Sequence, residues 1–141
     1  MKHTSNNRHH TIVLARGEEV ITTLTEFCEK NGIKNAVFQG VGAVEHVEIG
    51  YYSLAKKEYF FQKPDGEFEV SSMQGNVALV DNKPFIHAHA VLSRCDESLA
   101  TIGGHIKAAH VAVTLEIFMI ALESSFERAL EDAIGLKLIS L

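Results

Sequence analysis

The sequence predicts an α+β fold, a mixed and largely antiparallel sheet with one long N-terminal helix and short flanking helices. Only one early segment carries apolar residues at helical spacing, whereas the remainder alternates short apolar runs with turn residues, as antiparallel strands do. The 141 residues suffice for a single domain with a sizeable core. We place this domain at residues 12–141, after a polar and flexible N-terminal tail of residues 1–11.

The helix is the best-defined element of the sequence. It begins near Arg16-Gly17-Glu18-Glu19, where acidic side chains suit the positive end of the helix dipole. It ends at Asn31-Gly32, because glycine readily adopts the left-handed conformation that follows a last helical turn. The apolar residues between these ends recur at helical spacing and predict one buried stripe, namely Val20, Ile21, Leu24, Phe27 and Cys28.

Strands are predicted on both sides of the helix, the first over residues 12–15. The later strands cover residues 36–39, 44–54, 58–62, 68–70, 76–80, 85–92, 99–102, 111–122 and 136–141, with a helical turn over 124–133. On the longest strand, Val111, Val113 and Leu115 should share one face. The opposite face is also partly apolar, which indicates that another subunit covers it.

Charge and apolar patterning argue against direct binding to duplex DNA and against a membrane-spanning protein. The formal net charge of −5, from 13 Lys and Arg against 18 Asp and Glu, argues against a protein that holds duplex DNA by its phosphates. The longest apolar stretch, residues 111–122, is too short for a membrane-spanning helix, and no secretory signal is visible. Cys28 and Cys95 are isolated, so we expect both to be reduced and buried. These features predict a cytoplasmic protein.

Histidines, eight in all, give the most informative pattern. His87 and His89 are two residues apart on a predicted strand, so both side chains should lie on one face, about 6.5 Å apart along the strand. His105 follows two glycines that permit close backbone approach, and it would complete a three-histidine set with an open position for water or a ligand. Three neutral imidazoles suit zinc, although nickel, cobalt and iron accept the same ligands. The alternative is an exposed strand face and a loop histidine without a metal.

Glu116 is the one carboxylate that we consider as a catalytic residue. It lies within an apolar strand, where a buried charge needs a partner. That partner would be a histidine of the set, which Glu116 would then orient, or a Lys or Arg; an exposed position is the alternative. His46 and His110 are expected to have structural roles. Because no clear general base is visible, the sequence leaves open whether the protein is an enzyme.

Several collinear segments resemble the plant and prokaryote conserved (PPC) domain family, in its stand-alone prokaryotic form. Residues 66–75, with the sequence GEFEVSSMQG, resemble the family's glycine-bounded signature. Further matches follow the family's order along residues 12–140: Arg16-Gly17-Glu18, Gly40-Val41-Gly42-Ala43-Val44, His87-Ala88-His89, Gly103-Gly104-His105 and Thr114-Leu115-Glu116.

The resemblance implies a homotrimer, a mixed sheet with flanking helices and a metal ion at His87, His89 and His105. It also implies association with DNA or with a regulatory protein partner. Glu67 stands where plant members carry Arg, and no AT-hook precedes the domain, which argues against direct sequence-specific DNA binding. The sequence thus predicts a trimeric DNA-associated or regulatory module with a three-histidine metal site. The alternative is a metal-dependent enzyme or small-ligand-binding protein that uses the open metal position.

Overall fold

Nine strands and one helix make up the chain, whose computed structural model describes residues 1–141. In chain order the elements are β1 (Lys2–Asn6), β2 (His9–Ala15), α1 (Val20–Asn31), β3 (Ala36–Ser53), β4 (Glu58–Gln62), β5 (Glu67–Val80), β6 (Lys83–Arg94), β7 (Thr101–Ala121), β8 (Glu127–Glu131) and β9 (Leu136–Ser140). None of these elements is a helix long and apolar enough to cross a membrane.

Four long strands close into a ring. β3 pairs with β5 and β7, and β6 pairs with the same two strands, each time antiparallel. The hairpin β1–β2 extends this sheet beside β7, and β4 extends it beside β3. One parallel contact, Leu79 opposite Glu127, joins the β8–β9 hairpin to β5. The prediction of a mixed, largely antiparallel sheet is therefore confirmed.

The helical content is smaller than the sequence predicts. α1 has 12 residues and begins at Val20, because Glu19 acts as its N-cap: the carboxylate accepts hydrogen bonds from the Ile21 and Thr22 amides. It ends at Gly32, whose φ of 65° supplies the expected left-handed cap. The predictions of a long N-terminal helix and of short flanking helices are therefore wrong. The helix has only 12 residues, and residues 127–131 pair with β9 instead of forming a helical turn. The fold is mostly β.

The N-terminal segment 1–11, predicted as a flexible tail, contributes to a β-hairpin. β1 pairs with β2 along its whole length, and the Ser5 hydroxyl lies 2.8 Å from His10 Nδ1. The rings of His3 and His10 both contact Phe27 edge-on, with centroids 5.2 and 5.7 Å away. The hairpin therefore packs against Phe27 of α1.

The inner faces of the strands and one side of α1 form a single core of 26 buried residues. Val20, Leu24, Phe27 and Cys28 are the helix's contribution, as predicted, with Ile21 only partly buried. Cys28 is buried as predicted, and burial raises the pKa of its thiol to about 12. Cys95 is exposed, so the prediction that it is buried is wrong.

One face of β7 differs from the predicted alternation. The pairing with β3 shifts register between Gly42 and Val44, and opposite this irregularity Val113 is turned outward and is 69% exposed. Ala112 is buried in its place. Further along, four apolar side chains of β3 and β7 are also substantially exposed, and we call them the outer apolar face: Val37, Val41, Phe118 and Ile120.

Candidate metal centre

His87, His89 and His105 lie together on the outer side of the ring. His87 and His89 alternate with the buried residues Ile86, Ala88 and Ala90 along β6, so both point outward. His105 of β7 stands directly opposite His89 in the antiparallel register. The structure therefore brings together the three residues that the sequence singles out. Strand alternation places His87 and His89 on one face, and the register of β6 with β7 places His105 beside them.

The three rings are close enough to share one ion. Their centroids are 5.0 to 5.4 Å apart, and one ligand nitrogen from each lies within 4.8 Å of the others. A tetrahedral ion holds its nitrogen ligands about 3.4 Å apart, so small side-chain rotations would close the set. His105 Nδ1 is buried without a hydrogen-bond partner, which is unfavourable unless something binds there. These features fit a metal ion at this position.

The environment favours the neutral, ligand form of two of these histidines. Burial, the Arg128 charge and the neighbouring imidazoles lower the pKa of His87 to about 4. Burial is also the largest cause that lowers the pKa of His105, followed by the charges of His89 and Arg128. A neutral imidazole keeps the lone pair that a metal needs.

Arg128 of β8 is a member of this site that the sequence analysis missed. Its Nη2 lies 3.1 Å from His87 Nδ1 and donates to Asn76 Oδ1 over 2.8 Å. Asn76 stands opposite His87 in the β5–β6 register, which explains why Arg128 reaches both. No local motif marks this residue, because its position depends on the contact of β8 with β5.

Aromatic side chains of β4 form one wall of the site. The Tyr59 ring lies 5.0 Å from that of His105, and Phe61 stacks on Tyr59 with centroids 5.4 Å apart. Burial raises the pKa of the Tyr59 phenol, an effect that the positive charge of Arg128 opposes. The sequence predicts the strand that carries these residues but not their place beside the histidines.

Glu116 does not belong to the histidine cluster. It is exposed on β7, eleven residues beyond His105, where it pairs with Val13 and Val41 across the sheet. The exposed alternative therefore describes its position, and no carboxylate lies among the three imidazoles. His46 and His110 form a separate edge-to-face pair with ring centroids 6.0 Å apart.

The two glycines before His105 have different surroundings. A Cβ on Gly104 would lie 2.5 Å from the Gly50 carbonyl oxygen, whereas a Cβ on Gly103 would have no neighbour closer than 3.4 Å. Close approach of the backbone is therefore required at Gly104 alone.

We predict that Gly104→Ala lowers the free energy of unfolding by about 1–3 kcal/mol, because rigid backbone must move apart. Gly103→Ala, the matched control, should change it by less than about 1 kcal/mol. Urea unfolding of both variants measures the difference. Equal destabilisation by the two substitutions would contradict the prediction.

Comparisons with known proteins place the chain in a family. The model of the Plants and Prokaryotes Conserved (PCC) domain matches residues 1–123. A search of curated proteins gives no match.

Several solved structures share the fold. A plant- and prokaryote-conserved (PPC) protein of Pyrococcus horikoshii is 33% identical, with 99% of this chain and 95% of that chain covered and a TM-score of 0.87. A metal-containing protein of Archaeoglobus fulgidus is 35% identical, with coverages of 92% and 91% and a TM-score of 0.86. A candidate DNA-binding protein of Bacteroides thetaiotaomicron has a TM-score of 0.93 at 18% identity, with coverages of 99% and 96%, and shows the fold alone. The chain belongs to the Plants and Prokaryotes Conserved (PCC) domain family, as the resemblance of its motifs predicts.

Proposed function

We propose that this protein binds one divalent metal ion through His87, His89 and His105 and offers a ligand the remaining coordination position. The observation that carries the proposal is the convergence of three imidazoles, with ligand nitrogens within 4.8 Å, on one face of the sheet. Zinc is the ion that suits three neutral imidazoles best. The related metal-containing protein of Archaeoglobus fulgidus, 35% identical, supports the assignment.

The surroundings favour ligand binding over hydrolysis. A bound ion would supply Lewis-acid polarisation of whatever occupies the open position. Metal-dependent hydrolysis commonly needs a carboxylate base close to the metal-bound water, and none lies in this cluster. We therefore place small-ligand binding ahead of an enzymatic role. Metal analysis after zinc supplementation and dialysis should give one ion per chain, and a chain without zinc would contradict the proposal.

The second candidate is a DNA-associated or regulatory module, and the name of the Bacteroides thetaiotaomicron protein, which shares the fold, motivates it. The charge of this chain favours an indirect association, because Asp and Glu outnumber Lys and Arg by 18 to 13.

We predict that direct binding to duplex DNA is weak and independent of sequence. In a gel-shift titration at physiological salt, the isolated protein should bind no tighter than about the micromolar range of non-specific contacts. Competition with unrelated duplexes should displace whatever is bound. A sequence-selective complex with nanomolar affinity would overturn this prediction.

We also propose that three copies of the chain assemble into a homotrimer. The outer apolar face leaves Val37, Val41, Phe118 and Ile120 in water in the single chain, which favours association through this surface. The number three comes from the resemblance to the PPC family.

A further inference from the structure

The guanidinium of Arg128 is a half-buried charge without an acidic partner. Arg128 takes part in none of the ion pairs of the chain. Its acceptors are neutral, namely Asn76 Oδ1 at 2.8 Å, the Lys137 carbonyl at 3.2 Å and His87 Nδ1 at 3.1 Å. Its Nε is buried and has no hydrogen-bond partner. Such a group is short of both negative charge and acceptors.

A metal ion at the histidines would increase this deficit. A guanidinium can only donate, so His87 Nδ1 accepts from Arg128 and the ring proton of neutral His87 lies on Nε2. Neutral imidazole has a single lone pair on its two nitrogens. Once a metal takes that lone pair, the other nitrogen carries the proton, and neither can accept from Arg128. Binding of the metal by neutral His87 therefore removes one acceptor from Arg128.

The charges at this site also indicate that a bound metal would leave Arg128 in need of an anion. The three imidazoles are neutral ligands and no carboxylate joins them, so a divalent ion would keep its full charge. The uncompensated charge of Arg128 lies against the same histidine. Two cationic groups that contact the same imidazole repel each other, and an anion that binds both would relieve this repulsion.

We propose that the open metal position and Arg128 together bind an oxyanion, the carboxylate or phosphate group of a small ligand. This inference rests on the proposed metal site. One oxygen of the anion would occupy the metal's open position, and another would accept from the guanidinium, whose planar fork suits both groups. The anion restores the lost acceptor and balances the charge.

The position of Arg128 is well supported by its neighbours. The Phe85 ring lies 5.5 Å from the guanidinium carbon, and Asn76 holds the NH2 group. Two contacts hold the β8–β9 hairpin against the sheet. The Tyr52 hydroxyl donates to the Ile134 carbonyl over 2.7 Å, and Lys137 pairs with Asp81 over 2.8 Å. Arg128 lies beyond residues 1–123, the range that the family model matches. It is thus a feature that the family's matched region does not supply.

The test uses the full chain loaded with Co²⁺, whose visible absorption reports the ligands of the ion. In chloride buffer free of oxyanions, we titrate Co²⁺ into wild type, Arg128→Ala, Arg128→Lys and the control Arg8→Ala, whose exposed pair with Glu123 lies apart from the site. Acetate and inorganic phosphate are then titrated separately into each loaded protein. Circular dichroism checks that each variant is folded.

We expect the wild-type spectrum to change saturably with acetate or phosphate, and the anion that binds more tightly identifies the ligand's acidic group. Arg128→Ala should lower the affinity for that anion by about ten- to a hundredfold. Arg128→Lys should lower this affinity by less, and Arg8→Ala should leave it unchanged. Without an oxyanion, Arg128→Ala should bind Co²⁺ at least as tightly as wild type, because a competitor for His87 is gone.

Three results would overturn the inference. If Co²⁺ binds but neither anion changes the spectrum, or if Arg128→Ala responds as wild type does, the oxyanion site is wrong while the metal site stands. If wild type binds no Co²⁺ and no zinc, the metal site fails and the oxyanion site fails with it.

Discussion

Replacing His89 by alanine should remove the metal from this protein and leave its fold intact. Two imidazoles remain after the substitution, and we expect the affinity for zinc to fall by at least about a hundredfold, more than the loss typical of residues that merely support a ligand. The fold should survive, because His89 is the exposed member of the three and its truncation leaves no cavity in the core of 26 residues.

The measurement is the zinc content of wild type and His89→Ala after zinc supplementation and dialysis, together with thermal unfolding of both. His9→Ala is the matched control, since His9 is also exposed on a strand but lies outside the cluster. The control should keep one zinc ion per chain. If wild type and His89→Ala retain zinc equally, the histidines are surface residues without a metal.

A single charge on the outer apolar face should convert the proposed trimer into monomers. Phe118 is 45% exposed in the single chain and neighbours Val37 and Ile120 on the same side of the sheet. In a trimer that buries this face, Phe118→Glu would place an unpaired carboxylate among apolar groups, which costs several kcal/mol per interface. Light scattering should then give the mass of one 15.5 kDa chain instead of three.

Leu54→Glu is the control for this substitution. Leu54 is 62% exposed between β3 and β4, so the same charge there should leave the mass of the assembly unchanged. Two results would contradict the proposal in different ways. If the wild type is a monomer across the micromolar range, the proposal of a trimer is wrong. If the Phe118→Glu variant is still a trimer, another surface forms the contact.

Local signals explain what could be predicted from the sequence. The end of α1 follows from Asn31-Gly32, because the left-handed cap is a property of one residue and its neighbours. The common face of His87 and His89 follows from the two-residue period of a strand. The place of His105 opposite His89 needed the register of β6 with β7, which the resemblance to a family suggested and spacing alone did not fix.

Non-local pairing explains what could not be predicted. The sequence predicts a helical turn for the segment with Arg128, whereas the short β8 forms a strand through its contacts with β9 and β5, which are distant from any local signal. The sequence predicts that Val113 shares a face with Val111 and Leu115, but the register shift between β3 and β7 interrupts the alternation on which this prediction depends. The overestimated length of α1 has a simpler cause: Glu19 caps the helix from outside instead of entering its first turn.

The most direct test of the metal centre is a crystal structure of the zinc-supplemented protein with anomalous data collected on both sides of the zinc absorption edge. We predict one anomalous peak per chain that vanishes below the edge, within bonding distance of one nitrogen each of His87, His89 and His105. A map without a peak at these histidines, or with its zinc peak at His9 and His10 of β2 instead, would contradict it.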